Sequence, residues 1–319
     1  MLPACLANRT VPMNSATEPQ TMNAISVISC ITYSVPNLME SRRAFTEYLD
    51  YMPLIEAAIP KTLAYRWQAP LAAGNKYCLL QDARGEPVYI RLLESPQPTN
   101  YAPLQHFGWN AAELHVQDVH GLAEQLKDSP FQIIGGPRDL LDNDAVIAMQ
   151  VLGPGKELLY LTQINHPGMQ ETYGRARSKV GSIFIAVMGS SNLPVSVAFY
   201  RAMSTRTTQR KAFNIRVLAN AHGLEPLQAR FDISSAVFSG SGRIEMDAYP
   251  ASAFPKPQIA GQLPPGLSML TVTAPAAMAG QLAEHCDFAA GPACPPYSGR
   301  LTGLITGPDG EFLEIILQD

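Results

Sequence analysis

"GPDGEFLEIILQD", residues 307–319, closes the chain. Gly-Pro-Asp-Gly is turn chemistry, because Pro presets φ while Asp and Gly tolerate the tight backbone that follows. It hands over to a strand-like run in which Phe312, Leu313, Ile315 and Ile316 surround Glu314. A carboxylate in so apolar a strand needs a proton, a cation, hydrogen-bond donors or a wet cavity, since burying it bare is costly.

The hairpin pattern is not confined to the end. "NKYCLLQDARGEPVYIRLLES", "AVIAMQVLGPGKELLYLTQI" and "FDISSAVFSGSGRIEMDAYP" each place a Gly-containing turn between two alternating segments, as "LTGLITGPDGEFLEIIL" does. Ahead of each lies a strand, a turn and an amphipathic segment. These are "SCITYSVPNLMESRRAFTEYL" (29–49), "AAELHVQDVHGLAEQLKDS" (111–129), "SIFIAVMGSSNLPVSVAFYRAM" (182–203) and "SMLTVTAPAAMAGQLAEHC" (268–286). In the first, Leu38, Phe45 and Leu49 share one helical face; in the second, Val119, Leu122, Ala123 and Leu126 do. The strand starts recur at roughly 70–85 residue intervals, the long period of a duplicated supersecondary unit. The unit reads β-α-β-β-β, four times over. Segments rich in Pro and Gly separate the units, at 95–108, 165–181 and 250–266.

Four βαβββ units in tandem, closed by a "GPDGEFLEI" hairpin, resemble the vicinal oxygen chelate superfamily. That group includes glyoxalase I, methylmalonyl-CoA epimerase, extradiol dioxygenases and the fosfomycin and bleomycin resistance proteins. The resemblance covers nearly everything from about residue 25 onward. It implies an α+β fold of two glyoxalase-like modules with concave, half-closed mixed sheets. The expected division is an N-terminal extension at 1–24, a first module at 25–165, a linker at 166–180 and a second module at 181–319, with the pairing of unit one, to unit two or across to unit four, left open.

In this family ligands sit in the concave face, and metal ligands come from the first and last strands of each unit. Carried onto this chain, the first-strand positions are Cys30, Ala111, Ser182 and Ser268. The last-strand positions are Arg91, Tyr160, Glu245 and Glu314. No His occupies any first-strand position. Zinc, iron or nickel prefers imidazole or thiolate, so no cofactor is expected and a divalent metal is disfavoured. Magnesium or manganese on oxygen ligands stays open.

The resemblance aims Glu245 and Glu314 at one cavity. Two adjacent carboxylates cannot both ionise cheaply, so one becomes a proton donor or acceptor near neutrality. Glu314 and Glu245 are therefore the expected catalytic base and acid, with Arg243, Arg300 and Tyr297 as the nearest substrate-binding partners. The plain alternative is that these carboxylates pair with arginine or lie at a solvated rim. In the first module, Glu113 and His115 share a strand face, and Tyr89, Arg91 and Tyr160 are expected to line the same hollow, suited to an anionic or phenolic ligand. His115 at a solvated strand end is the bland reading.

The expected function is metal-independent proton transfer, of isomerase or lyase type, on a small carbonyl or aromatic metabolite. Two rivals stay open: a non-catalytic, drug-sequestering binder, and a metal-dependent glyoxalase or extradiol dioxygenase with ligands out of register. Hydrophobic residues make up 46% of the 319 and charged ones 16%, ample for packed interiors. A net charge of −4 without a basic cluster speaks against a nucleic-acid partner. No apolar run has the length of a membrane helix, and no signal peptide is recognisable. Five cysteines (Cys5, Cys30, Cys78, Cys286 and Cys294) without metal-like spacing suit a cytoplasmic protein with reduced thiols. The expected partners are a small-molecule substrate and, through sheet edges, a second copy in a homodimer.

Overall fold

The computed structural model describes residues 24–141 and 143–319. The expected N-terminal extension, all but its last residue, lies outside the described residues, as does Cys5.

All four units are present. The first comprises β1 (Val27–Val35), α1 (Leu38–Tyr48), β2 (Met52–Ala58), an inserted α2 (Lys61–Arg66), β3 (Lys76–Gln81) and β4 (Tyr89–Glu94). The second comprises β5 (Gly108–Val116), α3 (Val119–Leu126), β6 (Gln132–Asp139), β7 (Val146–Leu152) and β8 (Leu158–Ile164). A connecting helix, α4 (Pro167–Tyr173), leads to the third unit: β9 (Val180–Ser190), α5 (Leu193–Arg201), β10 (Arg206–Thr207), β11 (Lys211–Phe213), α6 (Arg216–Ala221), β12 (Phe231–Val237) and β13 (Arg243–Ala248). The fourth holds β14 (Gly266–Pro275), α7 (Ala279–Leu282), β15 (Ala289–Ala290), β16 (Leu301–Thr306) and β17 (Phe312–Gln318).

Local chemistry explains the repeated strand-to-helix corner. Asn37, Asp118 and Asn192 sit at the N-caps of α1, α3 and α5, and their side chains accept from the backbone N–H of Glu40, Gly121 and Val195. Such caps satisfy donors that the first helical turn leaves free. In the fourth unit Pro275 offers no such cap, and the helix shrinks to a 3₁₀ turn at Ala276–Met278 followed by the single turn of α7.

The closing hairpin is locked by its other carboxylate. Glu311 accepts from the Asp309 N–H at 2.8 Å and from the Tyr200 hydroxyl at 2.7 Å, tying the β16–β17 turn to α5. A Cβ on Gly307 would run into the Glu311 carboxyl, and Gly310 takes a left-handed φ of +79°. Glu157 repeats the arrangement in the β7–β8 turn, accepting from the Gly155 N–H at 2.8 Å.

The sheets do not follow chain order. One runs β15-β16-β17-β14-β1-β4-β3-β2, and the other β10-β12-β13-β9-β5-β8-β7-β6 with β11 added to β12. β1 pairs antiparallel with β14, and β5 with β9. Units one and four thus share the first sheet, and units two and three the second. This corrects the expectation that consecutive units share a hollow. Each half needs a partner for its first strand, and a nested arrangement supplies one as well as a consecutive arrangement does.

A central core contains Ile31, Phe45, Leu114, Leu122, Met188 and Leu270, from helix-facing strand surfaces of both sheets and the helices over them. The other face of each sheet has its own smaller core, around Trp67, Met269 and Ile316 in the first and around Leu158, Val187 and Leu218 in the second. The two hollows of the fold are on these faces.

Candidate functional site

In the first sheet's hollow Glu314 is 1% exposed and fully engaged. Trp67 Nε1 donates to it at 2.7 Å, Thr271 Oγ1 at 2.9 Å, and the Tyr297 hydroxyl at 3.0 Å. Arg91 donates to the Tyr297 oxygen at 2.8 Å and to Thr32 Oγ1 at 3.1 Å, with its guanidinium carbon 5.0 Å from the Trp67 ring centroid. Burial works against the Arg91 charge, yet Tyr297, Cys30 and Glu314 together raise its pKa. Burial also pushes the Cys30 thiol up to about 11. Trp67 follows α2, and Tyr297 comes from the β15–β16 connection, so two insertions plug this concave face.

Glu245 is elsewhere, on β13 of the second sheet. The expectation that Glu314 and Glu245 share one cavity is therefore incorrect, and so is the grouping of Tyr89 and Arg91 with Glu113, His115 and Tyr160. Arg300 is exposed on the β15–β16 connection and does not join Glu314, whereas Tyr297 does. Both errors come from pairing units in chain order.

The second hollow does bring two glutamates from different units together, but Glu245's partner is Glu113. β13 presents Arg243, Glu245 and Asp247 on one face, as strand alternation requires, and β5 presents Glu113 and His115. Glu113 accepts from Thr162 Oγ1 at 2.5 Å. Glu245 keeps partial solvent contact, yet burial pushes its pKa up to about 7 against the lowering pull of Arg243. Burial, then the Glu245 charge, push Glu113 up to about 8, although Thr162 and Arg243 oppose this. The two titrate as a pair: once one carboxyl is ionised, its charge resists loss of the other's proton. Asp247 is raised well above the ordinary range by burial and by both glutamates, and its Oδ1 has no hydrogen-bond partner among the described residues. The Tyr160 hydroxyl is raised by burial and by the same three carboxyls.

A cleft of about 760 Å³ meets this cluster at Arg243 and His115, with Phe184 and Tyr173 also in its wall together with Val27 and Val88 of unit one, whereas Glu113, Glu245 and Asp247 do not line it. His115 stacks on Phe184 at 3.8 Å between centroids, and burial lowers its pKa to about 4, so the ring is neutral at pH 7. It is 6% exposed, which rules out the solvated strand end.

Thr271 and Trp67 were missed as partners of Glu314, and Phe184, Tyr173 and Thr162 as site residues. Only Thr162 carried a signal, since it shares strand parity with Tyr160 on β8. Ser268 faces Ser34 and the Thr32 carbonyl rather than Glu314.

The donor chemistry can be set against a divalent cation. Glu314 is surrounded by N–H and O–H donors and by the Arg91 cation, a set that satisfies a carboxylate and repels a metal. In the second hollow the family positions carry Ala111, Tyr160, Ser182 and Glu245, with one strong oxygen ligand among them. Among the described residues no group of three or more His, Cys, Asp and Glu is arranged to hold a metal ion. These residues do not fit the metal that the family resemblance implies.

By sequence, no protein-family model and no curated protein matches the chain. By structure, glyoxalase I from Zea mays superposes with a TM-score of 0.58 at 13% identity, covering 91% of this chain and 92% of that one. A single-residue variant of the same enzyme gives 0.59 at 12% identity, over 91% and 93%. The chain has the two-module fold of glyoxalase I. A candidate dioxygenase from Bacillus subtilis aligns as well, with a TM-score of 0.58 at 10% identity, over 92% of this chain and 86% of its own. These likenesses span both sheets and establish the tandem glyoxalase-like architecture. At such identities one scaffold carries several chemistries, so activity must be argued from the residues.

Proposed function

We propose that this vicinal-oxygen-chelate-fold chain is an enzyme of isomerase or lyase type that moves a proton on a small carbonyl or aromatic metabolite without a metal ion. The observation that carries the reading is the paired Glu113 and Glu245 in the second hollow, with pKa values of about 8 and 7. At neutral pH one carboxyl is ionised and the other protonated, which is the state needed for a base and an acid to act on one substrate. Glu245 as carboxylate takes the proton from carbon next to a carbonyl, and the electron pair moves to the carbonyl oxygen. Glu113 then gives its proton to that oxygen, and the reverse transfers return both. The Thr162 hydrogen bond to Glu113 holds that carboxyl in place.

Glu314 has no part in this, because its oxygens are already saturated. Free thiols at Cys30, Cys78, Cys286 and Cys294 support a cytoplasmic setting. No helix among the described residues is long and apolar enough to cross a membrane.

The test is deuterium uptake from D₂O at the carbon beside the carbonyl in a panel of 2-oxo acids, followed by proton NMR. Wild-type protein is expected to catalyse uptake with at least one acid and to keep its rate after EDTA treatment. Unchanged uptake in Glu245→Gln, or loss with EDTA and recovery with manganese, defeats the reading. One observation favours a second reading: the cleft wall is aromatic, with Phe184, His115 and Tyr173, as a sequestering protein requires. That reading predicts stoichiometric binding and no uptake.

A further inference from the structure

A buried guanidinium is expensive unless an anion or a full set of acceptors surrounds it. Among the described residues two such arginines, Arg91 and Arg243, have opposite fates. Arg91 bonds Tyr297 and Thr32 and has Glu314 within the same network. Arg243 is 6% exposed, and its one hydrogen bond is a long one, 3.3 Å to the Thr172 carbonyl. It forms no ion pair among the described residues, and its guanidinium lies 3.9 Å from the Tyr173 ring centroid. Glu245 and Glu113 are close enough to act on its charge, yet neither accepts a hydrogen bond from it. Its other donors have no acceptor among the described residues and are not sealed from water, and Arg243 is in the wall of the 760 Å³ cleft.

We propose that this cleft binds a small, flat organic carboxylate, whose two oxygens pair with the free edge of Arg243 and whose unsaturated body lies against Phe184 and Tyr173. The planar fork of a guanidinium matches a carboxylate in bidentate fashion. One buried cation suits one negative charge. The ring of His115, stacked on Phe184, adds to the flat wall without adding charge. Arg177 at the rim is paired with Glu86 at 3.1 Å and Arg175 is exposed to water, so the buried cation of this wall is Arg243; Asp82 and Glu171 line the cleft as well.

This inference rests on the proton-transfer reading only for its setting, since Arg243 shares its strand face with Glu245 while Glu245 itself does not line the cleft. Its test is separable. Isothermal titration calorimetry on the full chain would use benzoate, phenylpyruvate, neutral benzamide and inorganic phosphate. Benzoate or phenylpyruvate is expected to bind at least roughly tenfold more tightly than benzamide and phosphate. Arg243→Met should weaken carboxylate binding by roughly 10–100-fold. It should also unfold in urea no earlier than wild type, because it removes a desolvated and poorly partnered charge. Arg243→Lys, which keeps the charge, should lose affinity too, because the planar fork is gone. Glu245→Gln should keep carboxylate binding while losing deuterium uptake. Equal binding of benzoate and benzamide, preference for phosphate, unchanged affinity in both arginine variants, or no carboxylate binding at all would each overturn the proposal. Failure of uptake with binding intact would instead remove the catalytic reading alone.

Discussion

The two hollows come from the same repeated unit and differ in what the intervening segments do. In the first, α2 and the β15–β16 connection bring Trp67 and Tyr297 onto the concave face, where they saturate Glu314 and hold Arg91. In the second, the chain supplies Thr162 to Glu113 and little else, leaving an Asp247 oxygen without a partner among the described residues and Arg243 with one long hydrogen bond in the wall of an open cleft. A satisfied polar network contributes to a single rigid packing. An unsatisfied one raises pKa values and leaves donors for a ligand. On the proposed reading the first hollow is a structural element and the second is the site.

The comparison breaks most readily on the glutamates. Glu245→Gln should cut deuterium uptake by roughly 10²–10⁴-fold, the usual contribution of a positioned base. Glu314→Gln, measured in the same assay, should leave the rate of the folded fraction within about threefold, since its oxygens face donors only. If the two variants swap outcomes, the functional assignment moves to the first hollow.

Stability should show the reverse pattern. Arg91→Met strands Glu314 and Tyr297 without their cation and should cost about 3–5 kcal/mol in urea unfolding. A loss below about 1 kcal/mol would mean the first network is no more essential than a surface pair.

The titration sharpens the contrast. Burial raises the folded pKa values of Glu113 and Glu245 to about 8 and 7, above the ordinary carboxyl value of 4.5, so the native state binds more protons than the unfolded chain in between. Stability from this hollow is present below about pH 4.5 and is lost as pH rises through 7 and 8. The difference in unfolding free energy between wild type and the Glu113→Gln/Glu245→Gln double variant should therefore change across that window in the direction of wild type weakening at alkaline pH. A flat difference would mean the carboxyls are not desolvated. The smallest effect is expected at Arg300, where exposure predicts that Ala changes unfolding by no more than about 0.5 kcal/mol and uptake not at all.

Much of this was legible. The four units, their hairpins and their helix starts follow from alternation, Gly turns and Asn or Asp caps, all of which act within a few residues. Strand parity correctly placed Arg243, Glu245 and Asp247 together, and Glu113 with His115. Parity says which face a side chain takes but not which sheet completes the hollow. That is why Glu245 was matched with Glu314 instead of Glu113. Trp67 shows the same limit, because nothing near "KTLAYRWQAP" reveals that its indole meets a carboxylate from the last strand.

Local pattern alone determined the repeat, the α+β class and which side chains share a strand face, since turns and pleats depend on neighbouring residues. Only the tertiary structure decided that units one and four close around each other while two and three do the same. First-strand pairing is a long-range choice among units of nearly equal local character, and it sets which charges meet.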